Sequence, residues 1–330
     1  MSEESMLPKP GTLFGDYRII SEIGRGNNGV VYLAEQQPLE REVALKVLLP
    51  EHSADPEYID LFLEEARAAA RMCHPHIVQA LDAGNVDGRY FLAMEYVCGR
   101  TMEDIRVNSP DLISFEFLVD MSIQLADALD YAWNNFKMTH GDVKPENLLI
   151  CDRGKTLKLT DLGLARVNGR VDPENDTIMA TPMYIAPEVA EGSSDGGVRG
   201  DIYSFGVMFY ELIAGEPPFR GDTETIIRHH IETPAPSLAA ADPDVPPELA
   251  EFTARLLAKS PDDRPQSWRE VKEFLEAFRA SRRPVEVTAL PEPTGESPLP
   301  RILLASAAIL LGLVLAVCIG LLVWLKTLGG

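Results

Sequence analysis

A carboxylate, an ammonium and a carboxamide lie close together in the segment His140–Asn147, whose sequence is HGDVKPEN. Asp142 is suited to orient an attacking hydroxyl and accept its proton, and Lys144 to neutralise charge on a transferred phosphoryl group. Asn147 offers a carboxamide oxygen to a metal ion. Fourteen residues later, Asp161 begins the sequence DLG after a strand-like run and offers a carboxylate to a magnesium ion that bridges phosphates. This spacing predicts phosphoryl transfer.

A glycine-rich turn precedes these residues. The pattern GxGxxG is formed by Gly24, Gly26 and Gly29. It lies between two predicted strands, as in a phosphate-covering hairpin, whereas a dinucleotide-binding fingerprint would open a helix. Twenty residues after Gly26, Lys46 ends the strand sequence VALK and is placed to contact the α and β phosphates. We expect Glu65, on the apolar stripe of a predicted helix, to orient Lys46; the adjacent Glu64 is the alternative.

The elements that must position these residues change character along the chain. Short β-branched runs predict five strands, at Tyr17–Ile23, Val30–Ala34, Val43–Leu48, Ile77–Leu81 and Tyr90–Tyr96. Helical periodicity is predicted for Glu57–Met72, around the stripe Phe117–Ala132, and for Asp201–Ala214, Thr223–Glu232, Pro247–Leu257 and Ser267–Arg279. The fold class is therefore α+β: a small five-stranded antiparallel lobe with one helix, followed by a mainly helical lobe.

Composition excludes several classes of protein. The 330 residues carry 30 Lys+Arg and 51 Asp+Glu, and a net charge of -21 makes nucleic acid an unsuitable partner. The four cysteines have neither CxxC nor Cys/His spacing, so no zinc site or disulfide framework is expected. The acidic N-terminus lacks the apolar run of a secretory signal, which places most of the chain in the cytosol.

Taken together, these motifs resemble those of the eukaryotic-like (Hanks-type) Ser/Thr protein kinases, in particular their membrane-anchored bacterial branch. The resemblance covers roughly residues 15 to 280 and is carried by VALK at 43–46, HGDVKPEN at 140–147, DLG at 161–163, TPMYIAPE at 181–188, DIYSFG at 201–206 and Arg264 in SPDDRP. It implies the two-lobed protein-kinase fold over residues 13–280, with an N-lobe at 13–97 and a C-lobe at 98–280. It also implies ATP and Mg²⁺ as cofactors, with Mn²⁺ as an alternative metal, and Ser/Thr hydroxyls of proteins as acceptors.

The resemblance also implies roles for individual residues. The expected nucleotide-binding set comprises Ile23, Gly24, Gly26, Gly29, Val31, Ala44, Lys46, Glu65, Met94, Glu95, Val97 and Leu149. Within it, Met94 would guard the back of the adenine pocket, Glu95 and Val97 would form the hinge contacts, and Val31, Ala44 and Leu149 would enclose the base. The catalytic pair would be Asp142 and Lys144, and the metal ligands Asn147 and Asp161. Glu188 would pair with Arg264, Asp201 would anchor the catalytic loop, and Thr181 would contact Asp142 and Lys144.

Three positions depart from the family pattern. Asn27 and Asn28 fill the tip of the glycine-rich loop, where residues that tolerate a left-handed conformation suit a tight turn. Leu162 replaces the usual Phe of the DFG motif and keeps an apolar side chain there. Gly141 replaces the Arg that grips a phosphorylated activation loop in most relatives. Between Asp161 and Glu188, the Ser/Thr hydroxyls are those of Thr177 and Thr181. We hypothesise that activity depends little on phosphorylation of this segment; the alternative is that Arg166 or Arg170 binds the phosphate.

The C-terminal part of the chain predicts a membrane anchor. Residues 1–12 are expected to be a disordered lead, and residues 281–300 a proline-rich linker that spans at most roughly 50 Å. The uncharged run Ile302–Leu325 would be about 36 Å long as a helix, enough for a hydrocarbon core of about 30 Å. A transmembrane helix is thus predicted at 301–326, with a tail at 327–330. Arg282, Arg283 and Arg301 precede the run and Lys326 follows it, which predicts a cytoplasmic kinase domain and a tail on the opposite side, without a sensor domain.

A stripe of small residues runs along this segment, at Ala308, Gly312, Ala316 and Gly320. Such spacing favours close helix packing, and hence a homodimer that would phosphorylate Thr288, Thr294 or Ser297 of the linker in trans. Small residues are also common in membrane helices, so coincidence is the alternative.

Two other functions share many of these features. A pseudokinase scaffold would bind nucleotide and partners without phosphotransfer, but it would have no chemical need for Asp142. A small-molecule phosphotransferase of related fold would lack the peptide platform that Ala186, Pro187, Glu188 and the helix at Asp201 suggest. The sequence therefore predicts a protein-serine/threonine kinase.

Overall fold

The computed structural model describes residues 7–26, 29–162, 182–193 and 196–282. Its N-terminal part is a six-stranded antiparallel sheet with the order β1-β2-β3-β4-β6-β5. The strands are β1 (Leu13–Phe14), β2 (Tyr17–Gly26), β3 (Gly29–Gln36), β4 (Arg41–Leu48), β5 (Ala80–Val86) and β6 (Arg89–Glu95). Helix α1 (Pro56–Ala69) lies between β4 and β5 in the chain.

Both faces of the sheet are covered, and strand alternation divides its side chains between them. On β4, Val43, Leu45 and Val47 belong to one apolar cluster, whereas Ala44 and Leu48 belong to a second cluster that includes Phe62 and Ala66 of α1. Lys46 has the same parity as Ala44 and Leu48 and therefore points to the α1 side of the sheet. This alternation sets the direction in which the Lys46 side chain points.

The prediction of five strands was wrong in two respects. Leu13–Phe14 adds a sixth strand, too short for a periodic signal, in which Phe14 is buried against Phe91. The strand predicted at Ile77–Leu81 instead runs from Ala80 to Val86. It lies at the edge of the sheet, where polar residues are tolerated, and Ile77 packs with the large-lobe core and pairs with Leu159 in a parallel bridge.

The first residues of the described chain are ordered. Gly11 donates its N–H to the Ile19 carbonyl over 2.8 Å, and Ile19 donates its N–H to the Thr12 carbonyl over 3.0 Å. Leu7 packs against the apolar cluster that contains Val43, Leu45 and Val47. Residues 7–12 of the predicted disordered lead are therefore part of the folded domain.

The C-terminal part is mainly helical. Its helices are α2 (Met102–Asn108), α3 (Phe115–Phe136), α4 (Pro187–Ala190), α5 (Gly197–Ala214), α6 (Thr223–Glu232), α7 (Leu238–Ala241), α8 (Pro247–Leu256) and α9 (Trp268–Ser281). A small sheet of β7 (Arg100–Thr101), β8 (Leu148–Cys151) and β9 (Thr156–Leu159) carries the segments on either side of the active site. One continuous apolar core surrounds α3 and α5.

Side-chain caps account for several helix starts. Ser114, Asp222 and Ser267 each accept a backbone N–H from the first turn of α3, α6 and α9. The helix predicted from Asp201 begins earlier, at Gly197. The sequence did not indicate this first turn, because its glycines and charged residue obscure the apolar period to which the buried Val198 belongs. Helix α1 ends three residues before the predicted Met72, where the bonds of Arg71 and Met72 tighten to an i to i+3 pattern.

None of the helices within the described ranges is long and apolar enough to cross a bilayer. The predicted span at 301–326 lies outside those ranges, as do the linker from residue 283 and the small-residue stripe.

Candidate active site

The catalytic loop is held by a buried carboxylate from α5. Asp201 is almost fully buried and accepts the backbone N–H groups of His140 and Gly141, each over 2.6 Å. The His140 ring is bonded at both nitrogens: Nε2 donates to the Thr160 carbonyl over 3.0 Å, and Nδ1 accepts the Asp142 N–H over 3.2 Å. The predicted anchoring by Asp201 is present, and His140 adds a link from this loop to the segment that carries Asp161.

Three predicted site residues converge immediately after this anchor. Lys144 Nζ lies 2.6 Å from Asp142 Oδ2, and Asn147 Nδ2 donates to the same carboxylate oxygen over 3.2 Å. Asn147 Nδ2 also donates to the Asp142 carbonyl over 2.7 Å. These bonds orient the Asp142 carboxylate from two directions, as a group that must receive a proton from an incoming hydroxyl requires.

Lys46 and Asp161 form the second charged pair of the site. Lys46 Nζ lies 2.6 Å from Asp161 Oδ1, and the Lys46 side chain is mostly buried. Burial acts to raise the pKa of Asp161, but the Lys46 ammonium outweighs it and holds that pKa below its usual range. Asp161 is therefore a carboxylate at neutral pH. Its backbone has φ of 55°, a left-handed conformation uncommon for a non-glycine residue and often found at functional sites.

The predicted partner of Lys46 was Glu65, with Glu64 as the alternative. Glu64 lies on an exposed position of α1, which argues against the alternative. The side chain of Glu65 is not among those described, so its pairing with Lys46 stays a prediction. Asp161 was predicted as a metal ligand, and its direct bond to Lys46 was missed, since no sequence spacing links residues 115 positions apart.

The residues predicted to bind the nucleotide are brought together by the register of the sheet. Val31 is paired with Lys46, Ala44 with Met94, and Val43 with Glu95. The cluster that contains Ala44 and Met94 also has Val31, Val97 and Leu149 packed against it. Ile23, at the end of β2, is 46% exposed. The structure thus gathers the predicted apolar pocket between the two lobes and leaves Ile23 at an open edge.

Gly24, Gly26 and Gly29 lie at the β2–β3 turn, where β2 pairs with β3 up to Gly26 and Gly29. A Cβ atom on Gly29 would lie 2.5 Å from the Val47 carbonyl oxygen, whereas one on Gly26 would meet nothing within 4 Å. Gly29 is therefore required by the approach of β4, and Gly26 leaves open space above the turn.

The hinge has an anchor that sequence reasoning missed. Glu95 Oε1 lies 2.6 Å from Lys158 Nζ on β9 and accepts the Gln79 N–H over 3.0 Å. The Glu95 N–H in turn donates to the Gln79 carbonyl over 2.9 Å. The carboxylate of Glu95 is thereby tied to both lobes. Lys158 alternates with buried Leu157 and Leu159 on a strand, the one signal that could have marked it as outward-facing.

The oxygen atoms available as metal ligands at this site fit a magnesium ion. Asn147 directs its amide nitrogen at Asp142, so its amide oxygen is the atom that remains for a metal, and Asp161 provides a carboxylate. No cluster of three or more His, Cys, Asp or Glu residues suited to a metal occurs in the described part of the chain. Two protein oxygens are nevertheless consistent with Mg²⁺, which keeps water and substrate phosphate ligands.

Below the catalytic loop, Glu188 and Arg264 form the predicted ion pair. Both nitrogens of the guanidinium end contact the carboxylate, over 2.8 Å each. Glu188 lies in α4 and Arg264 follows the turn Pro261–Asp263. Thr181, which was expected to contact Asp142 and Lys144, lies outside the described residues.

The structure describes two of the residues that depart from the family pattern, Gly141 and Leu162. Gly141 has φ of 73°, a left-handed conformation that glycine adopts without strain. Leu162 is buried and lines a small cavity of ≈ 30 Å³ behind Met94, together with Ala66, Ala69 and Met72. Leu162 therefore serves as the expected apolar plug.

Comparison with known proteins agrees with this geometry. A family model described as Protein kinase domain matches residues 17–275. The chain belongs to this family. Serine/threonine-protein kinase PknA of Mycobacterium tuberculosis is 38% identical over 301 residues, which cover 89% of this chain and 68% of PknA. Serine/threonine-protein kinase PrkC of Bacillus subtilis is 33% identical over 272 residues, covering 81% of this chain and 41% of PrkC.

Solved structures show the same fold. The crystal structure of the Mycobacterium tuberculosis PknI kinase domain matches with a TM-score of 0.66 at 30% identity, covering 82% of this chain and 99% of that one. The chain is thus a bacterial Hanks-type protein-serine/threonine kinase with the protein-kinase fold. Family membership implies the use of ATP and a divalent metal.

Proposed function

We propose that this kinase transfers the γ-phosphoryl group of ATP, with Mg²⁺ as the metal, to Ser/Thr hydroxyls of proteins, including its own. The observation that carries the proposal is that Lys144 and Asn147 both contact one carboxylate oxygen of Asp142, in the same site as the Lys46–Asp161 pair. A binding scaffold would have no use for an oriented carboxylate at this position.

The chain's own residues supply most of the chemistry. Asp142 accepts the proton of the acceptor hydroxyl as the oxygen attacks the γ-phosphorus; the bond from that phosphorus to the bridging oxygen breaks, and ADP leaves with the bridging oxygen. Lys144, 2.6 Å from Asp142, lies where it can offset charge on the transferred group. Lys46 orients Asp161 and contributes positive charge near the phosphates. Asn147 and Asp161 would hold Mg²⁺, which neutralises phosphate charge when bound.

The direct test uses the full chain with labelled ATP, Mg²⁺ and a generic protein substrate. We expect Asp142→Asn to lower phosphotransfer by roughly 10²–10⁴-fold, the usual contribution of a general base. Asp111→Asn, on the exposed turn Pro110–Leu112, is the matched control and should label like wild type. Equal labelling by wild type and Asp142→Asn would contradict catalysis and favour the pseudokinase alternative.

The metal requirement has its own experiment. Chelation with EDTA should abolish labelling, and added Mg²⁺ should restore it. Mn²⁺ is expected to restore labelling as well, because it accepts the same oxygen ligands. Labelling that persists in EDTA would contradict a metal held by Asn147 and Asp161.

We also propose that the kinase acts at the cytoplasmic face of a membrane, held by the segment 301–326. The support is the uncharged run and the three arginines that precede it. The full chain should sediment with membranes and a chain ending at residue 300 should not. Protease added outside intact cells should leave the kinase domain uncut. Recovery of the full chain in the soluble fraction would exclude the anchor.

Two regulatory features are proposed from the sequence alone. Dimerisation through Ala308, Gly312, Ala316 and Gly320 would allow phosphorylation of the linker in trans. Gly312→Leu with Gly320→Leu should abolish crosslinked dimer in membranes, whereas Val314→Leu with Leu322→Val should not. An unchanged amount of crosslinked dimer in the variant with both glycines replaced would contradict dimerisation through this stripe.

The second feature concerns Gly141. With glycine in place of an arginine, turnover should depend little on a phosphate at Thr177. Thr177→Ala is therefore expected to keep at least half of the wild-type turnover. A loss of most turnover would show instead that another cation, such as Arg166 or Arg170, reads that phosphate.

A further inference from the structure

Helix α6 buries a histidine beneath the turn Pro182–Tyr184. His230 is 0% exposed and packs edge-on against the rings of Phe219 and Tyr203. Its Nε2 lies 3.0 Å from the Met183 carbonyl oxygen, and its Nδ1 lies 2.9 Å from the Tyr203 hydroxyl. Burial of an imidazole ring in an apolar core lowers the stability of the fold unless both ring nitrogens form hydrogen bonds, and both do so here.

These partners determine where the protons lie. The Met183 carbonyl can only accept, so Nε2 carries the hydrogen and donates it. In a neutral ring Nδ1 is then the acceptor, and the Tyr203 hydroxyl donates to it. The Tyr203 oxygen accepts from Lys259 Nζ over 3.2 Å. A directed relay therefore runs from Lys259 through Tyr203 and His230 to the Met183 carbonyl, and is called here the His230 relay.

The neutral ring is enforced by its surroundings. Burial and the nearby Lys259 ammonium lower the pKa of His230 to about 4. His229 adds to this effect, and Arg264 stacks over Tyr203 on the other side of the relay at 4.8 Å. Lys259 uses three donors, toward Tyr203 and toward the carbonyls of His229 and His230.

The turn that the relay supports borders the catalytic loop. Tyr184 donates its hydroxyl to Glu211 over 2.6 Å, and its carbonyl accepts from Ser204 over 2.7 Å. Ser204 follows Asp201 by three residues on α5, so their side chains lie on the same face of that helix. Asp201 holds the backbone of His140 and Gly141, and Ser204 holds the Tyr184 carbonyl. The Pro182–Tyr184 turn and the catalytic loop are therefore fastened to the same stretch of α5.

We propose that His230 is a positioning residue for the polypeptide acceptor, because it fixes the Met183 carbonyl and thereby the Pro182–Tyr184 turn, which lies beside the catalytic loop and directly before the predicted peptide platform at Ala186, Pro187 and Glu188. The proposal rests on the proposed function and adds which residues shape the acceptor side. Tyr184 is held on α5 by Glu211 and Ser204, and Met183 is held on α6 by His230, so the turn has one anchor on each helix. Loss of the second anchor should affect acceptor binding and leave nucleotide binding intact.

The test measures KM for a protein acceptor and KM for ATP separately on the full chain. His230→Leu should raise KM for the acceptor about tenfold, as expected for a buried carbonyl left without its donor, and change KM for ATP less than twofold. His230→Gln should restore the acceptor KM to within about threefold of wild type, since its amide can donate to Met183 and accept from Tyr203. Tyr203→Phe should give an intermediate rise, because Nδ1 of His230 loses its donor while the bond from Nε2 to the Met183 carbonyl remains.

The matched control is His229→Leu, which changes the neighbouring histidine outside the relay and should leave both KM values unchanged. An unchanged acceptor KM in His230→Leu, or an equal rise in both KM values, would overturn the proposal. Failure of His230→Gln to recover would also overturn it, since the role would then be packing alone. Were His230→Leu unfolded, Tyr203→Phe would decide: a selective rise supports the relay and no rise refutes it.

Failure of the proposed function has a different signature. Wild type would then label no acceptor, whereas failure of the relay leaves wild-type labelling intact and the variants indistinguishable from it. The ¹⁵N shifts of the His230 ring give a readout independent of activity. They should show the Nε2–H tautomer in wild type at pH 6; a mixture of tautomers, or the Nδ1–H tautomer, would contradict the relay.

Discussion

Arg264 is 1% exposed, yet each of its five N–H donors has an acceptor. Two contact the Glu188 carboxylate, and three contact the backbone carbonyls of Ala258, Arg199 and Lys259. Its plane lies 4.8 Å over the Tyr203 ring. The buried guanidinium is tolerated because protein acceptors replace the hydrogen bonds that it would make to water. Glu188 supplies the only negative charge among these acceptors, so its loss would leave a buried positive charge without compensation.

Removal of this charge gives the first prediction. Glu188→Gln should lower the free energy of unfolding by about 3 kcal/mol, because Arg264 stays buried without its counter-charge. Urea unfolding at pH 7 measures the change. Asp262→Asn is the control: it breaks the exposed pair with Arg199, where Asp262 is 87% exposed, and should cost less than about 1 kcal/mol. Equal effects of the two substitutions would refute the distinction between the buried and the exposed pair.

The backbone N–H groups bound by Asp201 lead to a second prediction at the same scale. An amide at this position offers one acceptor oxygen to two donors and turns an NH₂ group toward the other. Asp201→Asn should therefore displace the catalytic loop and lower kcat roughly 10²-fold, with little change in KM for ATP. Asp120→Asn, which breaks a partly exposed pair with Arg279, should leave kcat unchanged. A wild-type kcat in Asp201→Asn would show that the loop holds its own shape.

At the scale of elements, the β2–β3 turn provides a matched pair of glycines. Gly29→Ala forces a Cβ atom against the Val47 carbonyl and should destabilise the domain by about 2 kcal/mol through overpacking. Gly26→Ala has open space and should be neutral or stabilise slightly through the unfolded chain. Thermal unfolding of both variants checks this, and a Gly26→Ala variant as unstable as Gly29→Ala would contradict the role of β4.

The elements also show what local pattern could and could not predict. Strands β2, β3, β4 and β6 and helices α3, α6, α8 and α9 were found within a few residues, because each has a regular apolar period or a capping residue. Strand β5 was displaced, since its polar residues are tolerated only because it forms an edge. Sequence order indicated the catalytic motifs, but Lys158 at the hinge and His230 under the turn depend on contacts 63 and 47 residues apart, which no local pattern carries.

At the scale of the whole domain, a few contacts tie the N-terminal sheet to the helical part. The Val78 N–H donates to the Leu159 carbonyl over 2.8 Å, and the Leu159 N–H donates to the His76 carbonyl over 2.9 Å. Nearby, His74 pairs with Asp127 of α3 over 3.2 Å. The segment between α1 and β5 is thus fastened to β9 and α3, and it joins the N-terminal sheet to the helical part.

The buried histidine of the relay makes the stability of the whole domain depend on pH. The pKa of His230 is lowered from 6.5 to about 4 on folding, so below pH 6.5 the unfolded chain binds a proton that the folded chain does not. This part of the stability is complete above pH 6.5 and is lost as the pH falls toward 4. Between pH 7 and pH 5 the loss is about 2 kcal/mol, from 1.4 kcal/mol per pKa unit.

His230→Gln removes this titration and keeps both hydrogen bonds. The stability that wild type loses between pH 7 and pH 5 should therefore exceed the loss of His230→Gln by about 2 kcal/mol in urea unfolding. Contributions from His74 and from the carboxylates are common to both proteins and cancel in this difference. Parallel curves for wild type and His230→Gln would show that His230 is protonated as readily in the folded protein as in the unfolded chain, and the neutral ring on which the relay depends would have to be abandoned.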